Sequence, residues 1–310
     1  MDGNKPFVSG AGNTNIDLIF SGLPRIPEEG RELYAQGFSL QMGGGVPATL
    51  INLGRLGVPV RVQTGLGEDL FSRFAMDAFR EAGVTPCNLC PSAGGIPLNI
   101  STAMLTPSDR TFVSYSGGFP LTDDVRQRLY EDSRGAAICA MDPRFPEVYA
   151  QLRREGTLLV LDTGWDDGLS IEKYRPLLEL ADFYVPNQAE AVKITGTGSP
   201  EAAARVLAEF FPKVVVKLDS AGCLIQERGE QAVVPVIPEY VHRDSTGAGD
   251  AFLAGFLYGL YHGRPLAECV LCGNITGGKC VTAAGCLTAF CTEEELLEKA
   301  ERYRRLIPRP

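Results

Sequence analysis

The sequence is poor in histidine and tryptophan, and it lacks long runs of one charge or of apolar residues. Its 310 residues include two histidines, His242 and His262, and a single tryptophan. The net charge is −9, and no run of lysine and arginine is long enough to form a basic patch. We therefore do not expect nucleic acid to be a partner of this protein.

Two kinds of apolar segment are also missing. No apolar run reaches the length of a membrane-spanning helix. The first residues, 1–6, do not combine a basic start with an apolar stretch, which is the pattern of a secretory signal peptide. We expect a cytoplasmic protein with no membrane partner.

Cysteine is plentiful, but its pattern argues against disulfides. Nine cysteines are an odd number, and no export signal accompanies them. Two C-x-x-C pairs, Cys87/Cys90 and Cys269/Cys272, lie far apart in the chain. A zinc site would need the two pairs close together or helped by histidines, so we favour reduced, partly buried thiols.

The remaining composition is that of a globular protein, with 45% hydrophobic and 22% charged residues. Short apolar runs alternate with amphipathic stretches along most of the chain. This alternation predicts an α/β fold with a doubly wound, mostly parallel sheet flanked by helices. The predicted strands are 7–10, 60–64, 136–140, 158–161, 183–185 and 214–218, and the predicted helices are 48–56, 70–82, 145–154, 171–180, 188–195 and 200–210.

Two segments depart from this alternation. Residues 16–41 and 97–115 contain strand and turn patterns without helices, which predicts a small separate β element. Asp109 and Arg110 before an apolar run indicate a hairpin there. The last third is helical, over 249–262, 265–280 and 292–306, and Thr292 with Glu295 forms the pattern of a capping box.

The motif with the clearest chemistry is the segment from Asp244 to Asp250, followed by a long apolar helix. The backbone N–H groups of Gly247, Ala248 and Gly249 can converge on an anion, and the helix adds its positive end. The carboxylate of Asp250 would repel a phosphate bound there, so we expect this residue to have a catalytic role. Removal of a proton from an attacking hydroxyl is a role that suits a carboxylate at this place. A glycine-rich turn capped by Asp250 stays the alternative from these residues alone.

This segment resembles the C-terminal signature of the phosphofructokinase B family, the ribokinase-like carbohydrate kinases. The resemblance implies that the chain is an ATP-dependent sugar kinase using Mg²⁺, and that residues 1–310 form one kinase domain with a β-sheet lid from parts of 16–41 and 97–115. It also implies that the Gly247–Gly249 backbone holds the transferring phosphoryl group and that Asp250 deprotonates the sugar, on a terminal CH₂OH of a free hexose or pentose.

Residues 43–57 are similar to the N-terminal signature of that family, a glycine turn leading into a helix that ends in Leu-Gly. The resemblance places Gly43, Gly44 and Gly45 in the sugar pocket. The asparagine that usually follows the turn is Ala48 here, and the hydroxyl of Thr49 could supply its contact. A tight turn that begins a helix is the alternative.

Three further positions are assigned to the sugar. Asn15 and Asp17 resemble the family's Asn-x-Asp, and an amide beside a carboxylate can both donate to and accept from vicinal hydroxyls. An Asx turn after the first strand explains the same residues about equally well. Asp142 corresponds loosely to a sugar-binding acid at a strand end.

The nucleotide and metal residues are also implied by the resemblance. Asn187 and Glu190 match the Asn-x-x-Glu motif that organises Mg²⁺, partly through water, and ATP, with helix capping as the alternative. Further ATP-binding positions are Lys217, Asp219, Gly222 and Asn274, the last near the adenine. A monovalent-cation site for K⁺ corresponds to Asp244, Thr246, Cys280, Ala283, Gly285 and Ala289.

Two other motifs in the sequence are incomplete. Residues 273–280 nearly match a P-loop, but the last position is Cys280 and a helix precedes the motif. A dinucleotide-binding oxidoreductase fails because Asn15 replaces the third glycine of G-x-G-x-x-G. Two alternative functions stay open: a nucleoside kinase of the same family and a non-catalytic sugar-binding protein. A homodimer is a possible assembly. Arg110 and Arg144 are the candidates for binding a phosphosugar.

Overall fold

Three sheets and ten α-helices make up the protein, whose computed structural model describes residues 6–91 and 94–308. The strands are β1 Val8–Ala11, β2 Asn15–Ser21, β3 Gly37–Met42, β4 Val60–Thr64, β5 Val84–Asn88, β6 Asn99–Leu105, β7 Arg110–Tyr115, β8 Ile138–Met141, β9 Leu158–Leu161, β10 Phe183–Tyr184, β11 Lys213–Lys217, β12 Cys223–Glu227 and β13 Glu230–Val234. The helices are α1 Val46–Arg55, α2 Leu70–Glu81, α3 Asp123–Ser133, α4 Pro146–Arg154, α5 Ile171–Leu180, α6 Gln188–Thr195, α7 Pro200–Leu207, α8 Ala248–Tyr261, α9 Leu266–Cys280 and α10 Glu293–Tyr303.

The largest sheet has six parallel strands in the order β10-β9-β8-β1-β4-β5. On one side of β1 the sheet continues with β4 and then β5. On the other side it continues with β8, β9 and β10. Side chains alternate between two cores: Val160 packs on one face, and its neighbours Leu159 and Leu161 pack on the other. The predicted doubly wound sheet with helices on both faces is therefore confirmed.

Helix ends in the structure follow their capping residues. Asp69 accepts from the N–H groups of Phe71 and Ser72 at the start of α2, and Ser199 caps α7 before Pro200. Thr292 caps α10 as predicted, but the return bond of the capping box is missing because the Glu295 carboxylate pairs with Lys279 at 2.9 Å.

The predicted small β element is a second sheet, in the order β3-β2-β6-β7. Strands β6 and β7 form the expected antiparallel hairpin, and β2 pairs antiparallel with β3. Between these two pairs, β2 and β6 run parallel, which the sequence did not predict. We refer to these four strands as the small sheet.

The segment 214–218 was expected to continue the parallel alternation, and the structure confirms this only at its end, where Lys217 forms a parallel bridge with Asn187 after β10. Strand β11 instead begins a third sheet, antiparallel, in the order β11-β12-β13. No helix separates β12 from β13; a tight turn does, in which Arg228 and Gly229 both have positive φ. A single bridge between Asn187 and Lys217 joins this sheet to the end of β10.

The thiols follow the sequence expectation. All nine cysteines are free, and eight of them are buried, Cys87 being intermediate. Among the described residues, no group of three or more His, Cys, Asp or Glu side chains is arranged to hold a metal ion. Across 6–91 and 94–308, no helix combines the length and the apolar character needed to cross a membrane.

Candidate active site

Polar side chains collect at the carboxyl edge of the six-stranded sheet. Asn13 follows β1, Asp142 follows β8, Asp162 follows β9, and Asn187 follows β10. Since these strands are parallel, their carboxyl ends meet at one edge. The order of strands reverses at β1, and such a reversal opens the crevice in which ligands of open α/β sheets bind.

Helix α8 begins at the same edge. Gly247 caps it with a φ of 77°, a conformation that favours glycine. Within the described residues, the N–H groups of Gly247, Gly249 and Asp250 donate to no protein acceptor, whereas that of Ala248 donates to Ser245 O at 3.1 Å. Of the three amides that the sequence suggested for an anion, those of Gly247 and Gly249 are therefore open, that of Ala248 is committed, and the amide of Asp250 is open as well.

The carboxylate of Asp250 lies against the glycine turn that precedes α1. A Cβ built on Gly44 would stand only 2.6 Å from Asp250 Oδ2, so this oxygen occupies the space that a side chain would need. Gly45, which caps α1 without a side chain, lies next to Gly44 at the same carboxylate, and its backbone N–H acts to lower the pKa of Asp250. Asp250 thus lies between the first turns of two helices, its own and α1.

The surroundings of Asp250 raise its pKa to about 7. Burial is the main cause, and the nearby Asp162 adds to it, while the Gly45 N–H, Lys217 and Thr49 act in the opposite direction. A carboxylate with a pKa near neutrality suits general-base catalysis at neutral pH. The chemistry proposed from the sequence is consistent with this value.

On the other side of the glycine turn lie the polar groups of the first strands. Asn15 Nδ2 donates to Gly44 O at 2.8 Å, and Asn99 Nδ2 donates to Asn15 Oδ1 at 2.9 Å. Asp17 Oδ2 lies 2.8 Å from a Cβ built on Gly43, and burial raises the pKa of this carboxyl. The structure brings Asn15, Asp17 and the glycine turn together, and adds Asn99, which no sequence motif had indicated.

The carboxylate of Asp142 forms an ion pair with a neighbouring arginine. Its carboxylate accepts from Arg144 Nε at 2.9 Å and from Arg144 Nη2 at 2.5 Å, and Nη2 also donates to Asn13 Oδ1 at 3.1 Å. The guanidinium stacks 4.5 Å from the ring centre of Phe119. The charge of Arg144 is thus largely neutralised by Asp142, and Asn13 holds the pair beside the carboxyl end of β1.

Thr49 is placed differently from the expectation. It lies within the first turn of α1 and is 0% exposed. A side chain without accessible surface cannot contact a bound sugar. Thr49 therefore does not replace the asparagine that the family usually has at the position of Ala48. Ala48 is equally buried.

The opposite side of Asp250 carries a cluster of charged side chains. Lys217 Nζ pairs with Asp162 Oδ2 at 3.0 Å, and a Cβ built on Gly249 would lie 3.5 Å from the same Nζ. Burial lowers the pKa of Lys217, but the carboxylates of Asp162 and Glu190 outweigh this effect, so the pKa ends above its usual value. Lys217 is therefore a protonated lysine beside the free amides of α8, where it can bind phosphate. Sequence motifs had not singled out Asp162; its place directly after a buried strand was the available signal.

Asn187 and Glu190 form a complete capping box. Asn187 Oδ1 accepts from the Glu190 N–H at 2.9 Å, and Glu190 Oε2 accepts from the Asn187 N–H at 2.8 Å. Burial raises the pKa of Glu190, and Asp162 contributes to the rise. Glu190 Oε1 makes no hydrogen bond among the described residues, so capping leaves one carboxylate oxygen open on a residue whose charge is felt by Asp162 and Lys217. This single oxygen fits a Mg²⁺ ion that keeps most of its waters.

Two of the expected nucleotide positions occupy a turn after β11, and a third, Asn274, lies in helix α9. Asp219 has a φ of 50° and accepts from Gln188 Nε2, and Gly222 has a φ of 105°. Asn274 is 5% exposed, and its Nδ2 donates to Val234 O and Pro235 O. Its amide nitrogen is therefore committed to fixing the end of β13, which leaves Oδ1 for any contact with adenine.

The predicted cation positions surround one loop after α9. Asp244 Oδ2 accepts from the Gly285 N–H at 2.9 Å, and Asp244 Oδ1 accepts from Thr246 Oγ1 at 2.8 Å. Cys280 Sγ donates to Thr246 O at 3.5 Å. Asp244 thus holds Thr246 and Gly285 together, which brings four of the six predicted cation positions, Asp244, Thr246, Cys280 and Gly285, into contact with one another.

Comparison with known proteins places the chain in a family. Residues 7–293 match the model of the pfkB family carbohydrate kinases. The chain belongs to this family, and it is an enzyme of the kinase class.

Individual relatives agree with this assignment. Ribokinase from Arabidopsis thaliana is 25% identical over 96% of this chain and 82% of its own length. A nucleoside kinase from Methanocaldococcus jannaschii is 23% identical over 98% of this chain and all of its own length. Among solved structures, Arabidopsis ribokinase with ribose and ATP has a TM-score of 0.80 at 23% identity, covering 96% of this chain and 99% of that one. Ribokinase from Giardia lamblia has a TM-score of 0.82 at 20% identity, covering 97% of this chain and all of that one. These structural matches establish the ribokinase fold.

Proposed function

We propose that this enzyme transfers the γ-phosphoryl group of ATP to the terminal CH₂OH of a free sugar, a hexose or pentose, with Asp250 as the general base. One observation carries the proposal: Asp250 lies between the Gly43–Gly45 turn and the unpartnered amides of α8. An acceptor hydroxyl bound at the turn and a phosphoryl group bound at the amides would meet beside this carboxylate.

The residues divide by the part of the reaction they serve. Asn15, Asp17 and Asn99 offer donors and acceptors to the hydroxyls of the acceptor. The amides of Gly247, Gly249 and Asp250, with Lys217, stabilise the charge on the transferring group. The acceptor O–H bond breaks, its proton passes to Asp250, and the acceptor oxygen forms the new bond to phosphorus as ADP leaves.

Mg²⁺ and a monovalent cation are further parts of the proposal. Glu190, Asn187 and Asp162 are the groups that would hold Mg²⁺, mainly through its waters, and the ion supplies charge neutralisation on the ATP phosphates. The loop shaped by Asp244 and Thr246 is the place for K⁺. ATP contacts at Asp219, Gly222 and Asn274 also belong to this proposal.

The small sheet is proposed to act as a lid over the acceptor and as a dimer surface. It contributes Asn15, Asp17 and Asn99 to the acceptor side, so its position controls access of water. Its outer strand β7 is exposed at every residue, and Phe112, Val113 and Tyr115 are more than half exposed. An apolar strand face of this kind is suited to pairing with a second copy of the chain.

A nucleoside kinase is the second candidate function. The full-length likeness to a Methanocaldococcus nucleoside kinase favours it, as does a cytidine kinase from Thermococcus kodakarensis that is 39% identical over 32% of this chain. A non-catalytic sugar-binding protein is disfavoured, since binding alone requires no carboxylate beside a phosphate-binding turn.

An acceptor screen decides between these candidates. Formation of ADP with Mg-ATP would be measured against free pentoses, hexoses, sugar acids, sugar phosphates and nucleosides. The proposal expects turnover above the acceptor-free rate with a neutral sugar. Turnover with nucleosides alone would favour the nucleoside kinase over the sugar kinase. Binding of a sugar without turnover would contradict sugar phosphorylation by this chain.

A further inference from the structure

The first turn of α1 contains a buried hydroxyl with no partner. Thr49 is 0% exposed, and its backbone N–H donates to Gly45 O at 3.1 Å as an ordinary helical bond. Its side-chain Oγ1 has no hydrogen-bond partner among the described residues. Buried polar atoms of native proteins are nearly always bonded, because an unmet donor costs free energy. This hydroxyl therefore calls for an explanation beyond packing.

The group next to this hydroxyl is the carboxylate of Asp250. Gly44 and Gly45, which immediately precede α1, border Asp250, and Oδ2 occupies the space beside Gly44. The Thr49 hydroxyl adjoins the same carboxyl and helps to lower its pKa, although it does not reach hydrogen-bonding geometry in this structure. The first turn of α1 therefore brings an unpartnered hydroxyl next to the Asp250 carboxyl.

The other groups facing Asp250 already have partners. Lys217 is paired with Asp162, which itself repels the Asp250 charge. The thiol of Cys280 donates to Thr246 O, and that of Cys286 donates to Met42 O at 2.9 Å. Thr49 is thus the one buried side-chain donor at this carboxylate that is not committed elsewhere in the described part of the chain.

We propose that Thr49 is a positioning residue for phosphoryl transfer, whose hydroxyl donates to the Asp250 carboxylate and holds it toward the acceptor. The proposal rests on the proposed role of Asp250 as base. No bond to Thr49 changes during the reaction: the proton from the acceptor goes to Asp250, and Thr49 keeps its own. Its hydroxyl favours the ionised carboxylate, the form that can accept a proton.

The test is a set of four variants assayed with wild type: Thr49→Val, Thr49→Ser, Thr157→Val and Asp250→Asn. Valine has the shape of threonine and removes only the hydroxyl, and serine restores it. Thr157 is the matched control, because it is also buried but lies away from Asp250 and bonds to Ala136 O at 3.0 Å. Measured quantities are kcat, KM for acceptor and ATP, the pH dependence of kcat, and Tm.

The proposal expects opposite patterns in the two valine variants. Thr49→Val should lower kcat about tenfold with both KM values unchanged, the loss expected for one hydrogen bond to a charged group. Its Tm should stay close to that of the wild type, because valine keeps the shape of threonine, and the acid limb of its kcat profile should move to higher pH. Thr49→Ser should recover most of the activity. Thr157→Val should keep its kcat and lose Tm.

Two results separate failure of this proposal from failure of the proposed function. A Thr49→Val enzyme with wild-type kcat and pH profile, beside an inactive Asp250→Asn, overturns the role of Thr49 alone. An Asp250→Asn enzyme that stays active overturns the base assignment. Should no acceptor be turned over, infrared difference titration of the Asp250 carboxyl, assigned with Asp250→Asn, gives the same decision: an unchanged pKa in Thr49→Val contradicts the proposal, and a raised pKa supports it.

Discussion

Gly44 and Asp250 come from opposite ends of the sequence, yet Oδ2 of Asp250 fills the space where a Gly44 side chain would begin. A Cβ on Gly44 would stand 2.6 Å from this oxygen, well inside contact distance. The absence of a side chain at position 44 is therefore what allows the proposed base to face the acceptor turn. This relationship gives the first prediction.

Gly44→Ala should displace the Asp250 carboxylate and lower kcat by about ten- to a hundredfold, since misplacement of a catalytic group by an ångström has effects of this order. ATP binding, measured by calorimetry, should change little. Gly198→Ala is the control, because a Cβ there meets no atom within 4 Å and the residue needs no positive φ. Equal kcat in the two variants would show that the close contact has no catalytic consequence.

Gly247 and Gly196 form a second matched pair. Both have a positive φ, of 77° and 65°, but a Cβ on Gly247 would collide with Cys286, whereas one on Gly196 meets nothing within 4 Å. We expect Gly196→Ala to cost about 1 kcal/mol from backbone strain. Gly247→Ala should lose clearly more stability in urea unfolding and also weaken ATP binding, because its N–H belongs to the anion-binding turn. If Gly247→Ala and Gly196→Ala lost the same free energy of unfolding, the contact with Cys286 would have no effect on stability.

The raised pKa of Asp250 has a consequence for stability. Its carboxyl binds a proton more tightly in the folded state, so its contribution to folding is present at low pH. That contribution is lost as the pH rises from the unfolded value of 3.8 to about 7. Asp250→Asn should therefore raise the free energy of unfolding at pH 8 by about 1–2 kcal/mol, less than the full shift because the side chain is partly exposed. At pH 4 the variant and the wild type should unfold together. A variant that is less stable than wild type at pH 8 would contradict the burial cause of the shift.

The Asp142–Arg144 pair predicts a change in acceptor selectivity. Because Asp142 neutralises the guanidinium, the wild type should prefer neutral acceptors. Asp142→Asn keeps the shape and one acceptor oxygen but leaves the charge of Arg144 unbalanced. We expect kcat/KM for a sugar acid or sugar phosphate to rise about tenfold relative to that for the neutral sugar, as one charge-assisted hydrogen bond allows. An unchanged ratio would place Arg144 outside the acceptor pocket.

Much of this architecture could be predicted from the sequence, because the signals were local. The alternation of short apolar runs with amphipathic helices indicated the parallel sheet, and Asp69 and Ser199 marked helix starts through their own side chains. The segment from Asp244 to Asp250 indicated an anion-binding turn with an acid in it. Each of these features depends on neighbours within a few residues.

The parts that the sequence did not reveal depend on distant partners. Asn99 reaches Asn15 across a parallel pair of strands, and parallel pairing leaves no local mark. Strand β11 has the apolar pattern of a parallel strand, and only the turn through Asp219 and Gly222, which brings β12 back beside it, places it in an antiparallel sheet. The burial of Thr49 is set by packing of α1 against α8. None of these could be inferred without the fold.

The most direct test of the account is acceptor-dependent ADP formation by wild type and Asp250→Asn, with ATP affinity measured on both. The account predicts that the wild type turns over with at least one acceptor of the panel. The variant should lose kcat by several orders of magnitude, because the base is gone, while it binds ATP with an affinity close to that of the wild type. Near-normal turnover by Asp250→Asn would contradict the central claim that this carboxylate, held between two helix N-termini, takes the proton.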